Sequence, residues 1–348
     1  MWKNELVEIL FSSDPSKLNV KKAINLKYEN TPSSLYRYRS FDDNGYSLEL
    51  LKTDEMYLSR PDEFNDPFDC ALKMATIDLP EDYIKKIIVP YTFNKLKQNY
   101  GCSNKEYGKL MRSKNVIHDL AKLVVKTTIS NISLELREEI IKDEEENFYK
   151  GFLDPEFKDK IHVACFSETN KGILMWSHYA NDHKGFCIEY NFKELGINSP
   201  VTRFIFPVTY NETLFDLKDY LPDPNKEFDN VLKKYMDEIK ANDILDRAIF
   251  PKSNKNLNNM LVFYNALIKY VDWAYEKEWR YVFTMKTDEK MYLNVPKPKS
   301  IYLGANVSKE NCEKILKIGK ERDINVYKME IRSNEFALES KLIHKCKD

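Results

Sequence analysis

The chain has 348 residues, of which 43% are hydrophobic and 31% charged, so it holds enough apolar material for a folded core and lacks the composition of a disordered protein or a coiled coil. Lysines and arginines number 54 against 55 aspartates and glutamates, and this balance does not indicate a global electrostatic hold on nucleic acid or anionic lipid. Glycine contributes only 9 residues, and neither GxGxxG nor GxxxxGK[ST] occurs, which excludes the glycine-dependent phosphate loops of Rossmann and P-loop proteins.

The first seventy residues combine strand patterns with a turn. Residues 35–41, LYRYRSF, alternate with period two and predict a strand. A short helix is predicted over 46–52 and a second strand over 55–60. The Asn-Asp-Pro sequence within 64–70 predicts a turn, because Asn and Asp bond their own backbone and Pro fixes φ.

Two later stretches have mainly helical spacing. Residues 80–158 predict a helical insertion, and residues 211–272 a second mainly helical segment. Further strands are predicted at 162–168, 185–192, 203–210, 274–285, 300–306 and 325–331. This order predicts an α+β fold, with a single domain spanning residues 1–348 around a mixed or antiparallel sheet.

Three features that the sequence lacks predict the cellular compartment. The six cysteines form no CxxC pair, and no stretch approaches about 18 apolar residues, the length of a membrane span. The N-terminus lacks the pattern of a signal peptide. We therefore expect a cytoplasmic protein with free thiols and no membrane partner.

Two arginines on the first strand are candidates for ligand binding. Arg37 and Arg39 are two residues apart and therefore point to the same face of a strand. One interpretation is a structural ion pair or an exposed edge. The other is that they hold a phosphate or pyrophosphate through the fork of the guanidinium group.

Two glutamates lie close together in YEKEWRYVF. A strand over 274–285 would place Glu276, Glu278 and Arg280 on one face and a row of aromatic rings on the other. Two neighbouring carboxylates raise the pKa of one of them and are suited to acid–base chemistry. Alternatively, they neutralise Arg37, Arg39 or Arg280 across the sheet.

The segment 175–186, MWSHYANDHKGF, holds two of the five histidines. On a regular helix His178 and His183 would lie ~140° apart, which is poor geometry for a shared metal ion. A core histidine bonded to backbone is the alternative for either. A triad of Ser177, His178 and Asp182 is not favoured, because no GxSxG elbow is present.

These motifs together resemble a known family. LYRYRSF, SRPDEFNDPFD, CFSE, MWSHYANDHKGFCIEY and YEKEWRYVF, in this order over most of residues 35–305, are similar to a widespread bacterial and phage family known only as a domain of unknown function. That resemblance implies a fold-sized unit and no established reaction.

A second resemblance is to the ADP-ribosyltransferase superfamily. An arginine strand, a strand with Ser167 and a late Glu-x-Glu strand are similar to its plan, in which these positions hold NAD, border the nicotinamide and act on the ribose. The resemblance implies that Arg37 or Arg39 takes the first position and Glu278 the last. The full Ser-Thr-Ser triplet of that superfamily is absent.

The sequence thus leads to a first hypothesis of NAD-dependent ADP-ribosyl transfer or NAD cleavage in a toxin or phage-defence role. NAD is the expected substrate, a protein or nucleic acid is a possible acceptor, and no metal is expected. We expect Arg39, His178 and Glu278 to line one cleft and to be catalytic. The residues expected to bind NAD are Tyr36, Arg37, Tyr38, Ser167, Trp176 and Glu276.

Two other function classes stay open at this point. One is a metal-dependent nuclease or phosphoesterase that uses His178, His183, Asp66 and Asp69, since carboxylates and imidazole suit divalent metals. The other is a non-enzymatic sensor that binds a nucleotide or a phage protein through the same pocket. Turnover of NAD would separate the first hypothesis from the third.

Overall fold

The structure is a computed structural model, and it describes residues 2–12, 17, 19–70, 81, 84–128, 137–143, 161–215, 260–284 and 289–346. The strands are β1 (Leu35–Arg39), β2 (Glu55–Leu58), β3 (Ile161–Ser167), β4 (Phe186–Tyr190), β5 (Ile205–Pro207), β6 (Thr209–Asn211), β7 (Ile268–Tyr270), β8 (Glu278–Thr284), β9 (Met291–Asn294), β10 (Ser300–Leu303), β11 (Asn325–Ile331) and β12 (Leu338–His344). The α-helices are α1 (Trp2–Leu10), α2 (Val20–Asn30), α3 (Tyr46–Thr53), α4 (Val89–Tyr100), α5 (Asn104–Met111), α6 (Val116–Thr128), α7 (Ile173–Tyr179), α8 (Pro200–Phe204), α9 (Met260–Asn265) and α10 (Lys309–Arg322).

Eight strands form one open mixed sheet, which confirms the predicted α+β fold. Their order is β12-β11-β10-β4-β1-β3-β8-β5. Neighbouring strands are antiparallel except β10 and β11, which are parallel and are joined through α10, as a parallel pair requires a crossover. The central strands are buried on both faces: every residue of β4 is buried, and so is every residue of β3 except Cys165. Their sequences therefore lack the alternation of a half-exposed strand, and the polar residues among them, His162, Ser167 and Glu189, are themselves buried.

The sheet opens between β1 and β3. These two strands share a single residue pair, Tyr36 with Ser167, whereas β3 pairs with β8 over seven positions. Beyond that pair, Val163 on β3 bridges to Ser59 after β2 instead of to β1. The separation leaves a gap in the middle of the sheet, and the polar side chains of β1, β3 and β8 border it.

Two of the predicted strands have different bounds. Residues 203–210 contain the end of α8 and two short strands, β5 and β6, with a break at Val208. The strand predicted at 274–285 is wrong in its first part, because Val271–Glu276 form a 3₁₀ helix and the strand begins only at Glu278. Lys277 between them has a left-handed backbone, with φ of 47°, which ends the helix and turns the chain into β8. Glu276 and Glu278 therefore do not share a strand face.

The described part of the predicted insertion is helical. Besides α4, α5 and α6, it contains a π-helix at Ile84–Ile88 and helical residues at 137–143. Much of the second predicted segment, residues 216–259, lies outside the described residues, as do residues 144–160. The domain boundaries themselves stay predictions. None of the described helices is both long and apolar enough to span a membrane.

Candidate functional site

The gap between β1 and β3 forms a cleft of about 340 Å³. Its position follows from the sheet: once β1 leaves β3, both edges carry side chains that face each other across open space. Eight of the predicted site residues line it, drawn from β1, β3, α7, the 3₁₀ helix before β8 and the start of β8: Tyr36, Arg37, Tyr38, Arg39, Ser167, His178, Glu276 and Glu278. The expectation that Arg39, His178 and Glu278 line one cleft is confirmed; their chemical roles stay predictions.

Trp176 does not line the cleft, and this corrects the placement expected for it. Its ring is fully buried and meets Tyr38 edge-on, with ring centroids 5.2 Å apart. The indole Nε1 donates a hydrogen bond to the carbonyl of Asn170 at 2.7 Å. The sequence could not separate these alternatives, because an aromatic residue on a short helix suits either a pocket wall or a core. Here Trp176 packs behind β1 and supports it.

Ser167 is a positioning residue in this structure. It is fully buried at the end of β3, and its hydroxyl donates to the backbone carbonyl of Glu276 at 2.7 Å. This bond joins β3 to the turn that precedes β8. It therefore fixes where Glu276 and Glu278 lie relative to the cleft.

One side of the cleft is a buried ion-pair network of five residues. Its members are Asp69, Lys269, Glu276, Glu278 and Arg280. Arg280 donates to both oxygens of Asp69, at 2.7 and 2.6 Å, and its Nε and Nη2 donate to the two oxygens of Glu278 at 2.8 and 3.0 Å. Lys269 Nζ lies 2.6 Å from Glu276 Oε2 and 3.1 Å from Glu278 Oε2.

The two glutamates of this network are in opposite electrostatic situations. Burial by itself would raise the pKa of Glu278, but Arg280 and Lys269 outweigh it and lower that pKa to about 2. Burial and the charge of Glu278 raise the pKa of Glu276 to about 7, despite its hydrogen bonds from Lys269 and from the Tyr179 hydroxyl at 2.6 Å. The network has three carboxylates and two cations, so it has one negative charge in excess. Glu276 is the carboxylate whose pKa is raised as a result.

The other side of the cleft is formed by the arginine pair, Arg37 and Arg39. Arg37 is 6% exposed, and its Nη2 donates to the carbonyl of Tyr57 at 3.0 Å. Its Nη1 is buried and has no hydrogen-bond partner in the described parts of the chain. Neither arginine forms a salt bridge within the described residues. Burial, and then the charge of Arg39, lower the pKa of Arg37 to about 9, so it stays protonated at neutral pH. Burial also lowers the pKa of Arg39. The arginine pair is therefore a place for an anion.

The four residues of the metal-site alternative lie in different surroundings. His178 is exposed at the cleft, whereas His183 stacks on Trp176 and its Nε2 lies 3.3 Å from the Ser177 hydroxyl. Asp66 accepts from the backbone N–H of Phe68 at 2.8 Å, and Asp69 is bound by Arg280. Among the residues that the structure describes, no group of three or more His, Cys, Asp or Glu side chains could hold a metal ion.

Two members of the site were missed at the sequence level. Lys269 lies on β7, inside the segment 211–272 that the sequence predicts to be mainly helical, and Tyr179 lies in the segment 175–186, where the sequence predicts no role for it. No local pattern marks either one, because their partners in the network come from other elements. The one sequence signal for Lys269 is that it is an isolated lysine in an apolar stretch, just before the sequence VDW.

The comparisons with known proteins match part of the chain. A family model described as a protein of unknown function (DUF2971) matches residues 175–281. This range contains every member of the ion-pair network except Asp69, and it does not include the arginine pair. No curated protein matches the chain, and no solved structure does. Over residues 175–281 the chain is therefore similar to a family of unknown function, which confirms the expected resemblance in part.

Proposed function

We propose that the cleft binds a nucleotide through its phosphates, that NAD is this nucleotide, and that the protein cleaves NAD or transfers its ADP-ribosyl group. The observation that carries the proposal is the arginine pair: two cations in one cleft, one of them 94% buried, without a carboxylate partner in the described residues. A buried cation without a counter-charge is costly, and a phosphate would supply both the charge and acceptors for the free N–H groups.

The neighbouring acids support an anion site on β1 and not elsewhere in the cleft. Asp69 and Glu278 have their own cations in the ion-pair network, and Glu63, which also lines the cleft, accepts a hydrogen bond from the Tyr57 hydroxyl at 2.6 Å. Asp42 acts on Arg39 electrostatically without forming a salt bridge with it. Tyr36 and Tyr179 are half-buried at the cleft and offer rings to a planar base. The volume of 340 Å³ lies at the lower end of the usual range for ligand sites, which suits one end of a dinucleotide.

Within this proposal Glu276 is the carboxylate that acts on the substrate. In NAD cleavage the bond between the ribose carbon and the nicotinamide nitrogen breaks, its electron pair leaves with neutral nicotinamide, and the ribose becomes oxocarbenium-like. Water or an acceptor then adds to that carbon and gives up a proton. A carboxylate stabilises the developing positive charge and accepts this proton.

The choice between the two glutamates follows from their partners. Both oxygens of Glu278 accept hydrogen bonds from Arg280, which neutralises its charge and fixes its position. Glu276, with a pKa raised to about 7, exchanges a proton near neutral pH. The resemblance to ADP-ribosyltransferases implied Glu278 for this role, whereas the proposal assigns the role to Glu276.

The test is mass spectrometry of NAD and its products after incubation with the purified full chain. We expect nicotinamide release by the wild type and a loss of roughly 10²–10⁴ in turnover for Glu276→Gln, the usual scale for a positioned acid–base group. Glu339→Gln, on the exposed strand β12, is the matched control. Absence of both NAD binding and NAD loss would overturn the proposal.

A binding-only function is the second candidate, and one observation favours it. Both oxygens of Glu276 already accept hydrogen bonds, from Tyr179 and Lys269, so the described state holds this carboxylate in place. NAD that raises the melting temperature without being consumed would establish a nucleotide sensor and reject the enzyme. A role in toxin action or phage defence, and a protein or nucleic-acid acceptor, stay predictions that depend on this result.

A further inference from the structure

A second cavity of about 370 Å³ lies beside the cleft. The two share the Lys269 side chain, but the second cavity does not contain the arginine pair. Its apolar walls come from three parts of the chain: the turn after β2, the residues after β6, and the β7 region. The aromatic members are Phe68, Phe215, Tyr270 and Trp273.

Asn265, at the end of α9, lines this cavity, and the hydrogen bonds of its side chain are incomplete. The residue is 1% exposed, and its Nδ2 donates to the backbone carbonyl of Cys70 at 3.0 Å. A carbonyl can only accept, so this bond fixes the amide orientation and turns Oδ1 the other way. Oδ1 is buried and accepts no hydrogen bond from the residues that the structure describes. Buried acceptors are seldom left unpaired, and this one points to a ligand that donates an N–H or O–H.

The remaining polar groups of the cavity also favour a donor ligand. Asp66 and Glu212 contribute carboxylates to the lining. Lys269 is already surrounded by carboxylates, at 2.6 Å from Glu276, 3.1 Å from Glu278 and 3.7 Å from Asp69. The cavity therefore offers acceptors in excess, and an anion would meet repulsion.

The shape of the lining favours a flat ring. Phe68 and Tyr270 line the cavity and are 64% and 48% exposed, and neither ring packs on another aromatic ring among the described residues. Trp273 carries Lys269 over its ring at 4.9 Å and leaves its remaining surface half-exposed. Exposed aromatic rings that line one cavity favour a planar ligand that stacks on them.

We infer that this cavity is a second binding site, for a neutral aromatic ring that carries an exocyclic amide or amino group. The NH₂ group donates to Asn265 Oδ1, and the ring packs between Phe68 and Tyr270. The inference goes beyond the proposed function, because it rests on a different cavity and needs neither NAD turnover nor the arginine pair.

Titration of the full chain with nicotinamide, adenine and nicotinate, followed by ligand-observed NMR, tests the inference. Nicotinamide and nicotinate have the same ring and differ in the group that meets Asn265. We expect nicotinamide, adenine or both to bind, and nicotinate to bind about tenfold more weakly or worse, since its carboxylate has no donor for Oδ1. Binding of nicotinamide alone identifies a carboxamide site, and binding of adenine alone an amine site.

Two variants and one control complete the test. Phe68→Ser, at an exposed position, and Asn265→Leu should each weaken binding about fivefold or more. Phe336→Ser, which removes a fully exposed ring between β11 and β12, should leave it unchanged. If Asn265→Leu does not fold, Phe68→Ser decides the matter.

Three results would overturn the inference: no binding of either NH₂-bearing ring, equal binding of nicotinate, or wild-type binding by Phe68→Ser. Pyrophosphate binding, measured on the same samples, reports the arginine pair separately. Failure of the second cavity and failure of the proposed function are therefore distinguishable.

Discussion

The two sides of the cleft hold arginines that are similarly buried and differently partnered. Arg280 is fully buried, and its donors are taken by Asp69, Glu278 and the carbonyl of Ala266. Arg37 is nearly as buried, yet it donates to one carbonyl and leaves Nη1 without a partner. Burial is common to both, so the partners distinguish an arginine that holds the fold together from one that is available to a ligand.

The comparison predicts effects of opposite sign on stability. Removing one charge from the ion-pair network leaves the remaining buried charges without a counter-charge. Because a buried unpaired charge is unfavourable, the free energy of unfolding falls. Removing Arg37 leaves no charged group without its counter-charge: it costs one hydrogen bond to the Tyr57 carbonyl and a contact with the Phe166 ring, and it removes a buried cation that has no carboxylate partner in the described residues. Substitutions on the two sides therefore test whether the distinction is real.

The largest effect is expected for Arg280→Met. It leaves Asp69 and Glu278 buried without their main cation, and we expect the free energy of unfolding to fall by about 3–5 kcal/mol. Urea denaturation measures this loss. Arg332→Met is the control, because the ion pairs of Arg332 with Glu335 and Glu339 are exposed and should contribute little. An equal decrease in the free energy of unfolding of Arg280→Met and Arg332→Met would contradict a structural role for the network.

The next effect is expected for Glu278→Gln, which separates a structural from a catalytic role. If Glu278 serves the network, the free energy of unfolding falls by about 3 kcal/mol, since Arg280 and Lys269 lose a shared counter-charge. Melting temperature and NAD turnover are measured on the same sample, with Glu276→Gln as the matched variant. Full stability with a 10²-fold or greater loss of turnover, roughly the scale of a catalytic acid or base, would instead assign the reaction to Glu278.

A pH dependence of stability is expected from Glu276. Its pKa is about 7 in the folded protein against an ordinary value of 4.5, so between these pH values the folded state binds more protons than the unfolded state. The free energy of unfolding therefore decreases as pH rises through this range, by on the order of 2 kcal/mol. The lowered pKa of Glu278 acts only below pH 4.5 and does not overlap.

Urea titrations at pH 5 and pH 8 measure this contribution. Glu276→Gln should remove it. The difference between wild type and variant also isolates Glu276 from His183, whose pKa is lowered by burial, a shift that affects stability with the opposite sign. The same pH dependence in both proteins would show that Glu276 is charged throughout the range.

The smallest effect on stability is expected for Arg37→Met. The variant removes a buried cation without a carboxylate partner and loses one hydrogen bond to Tyr57, so we expect stability to stay unchanged or to rise by about 1 kcal/mol. Thermal denaturation in phosphate-free buffer gives the answer. A destabilisation as large as that of Arg280→Met would mean that Arg37 serves the fold.

The sequence predicted the parts of the site that depend on local pattern. The period-two alternation of LYRYRSF places Arg37 and Arg39 together on β1, and the Ser-containing and Glu-containing strands β3 and β8 are neighbours. The predicted strand at 274–285 failed at Lys277, because a left-handed residue interrupts a strand without any change in the hydrophobic pattern. Single-residue backbone states of this kind are not encoded in periodicity.

The partners of the charged groups could not be predicted. Asp69 and Arg280 are 211 residues apart in sequence, and only the assembled sheet brings them together. From the sequence alone, Glu278 could form an ion pair with Arg37 as readily as with Arg280. The same limit applies to Trp176, since composition predicts that an aromatic residue is buried but not whether it faces a core or a cleft.

Calorimetric titration of pyrophosphate into the wild type, Arg37→Met and Arg39→Met tests most directly that the arginine pair is an anion site. We expect the wild type to bind pyrophosphate, with weaker binding at higher salt, and each variant to bind about tenfold more weakly or worse while remaining folded. Equal binding by all three proteins, or no binding by the wild type at low salt, would contradict the account.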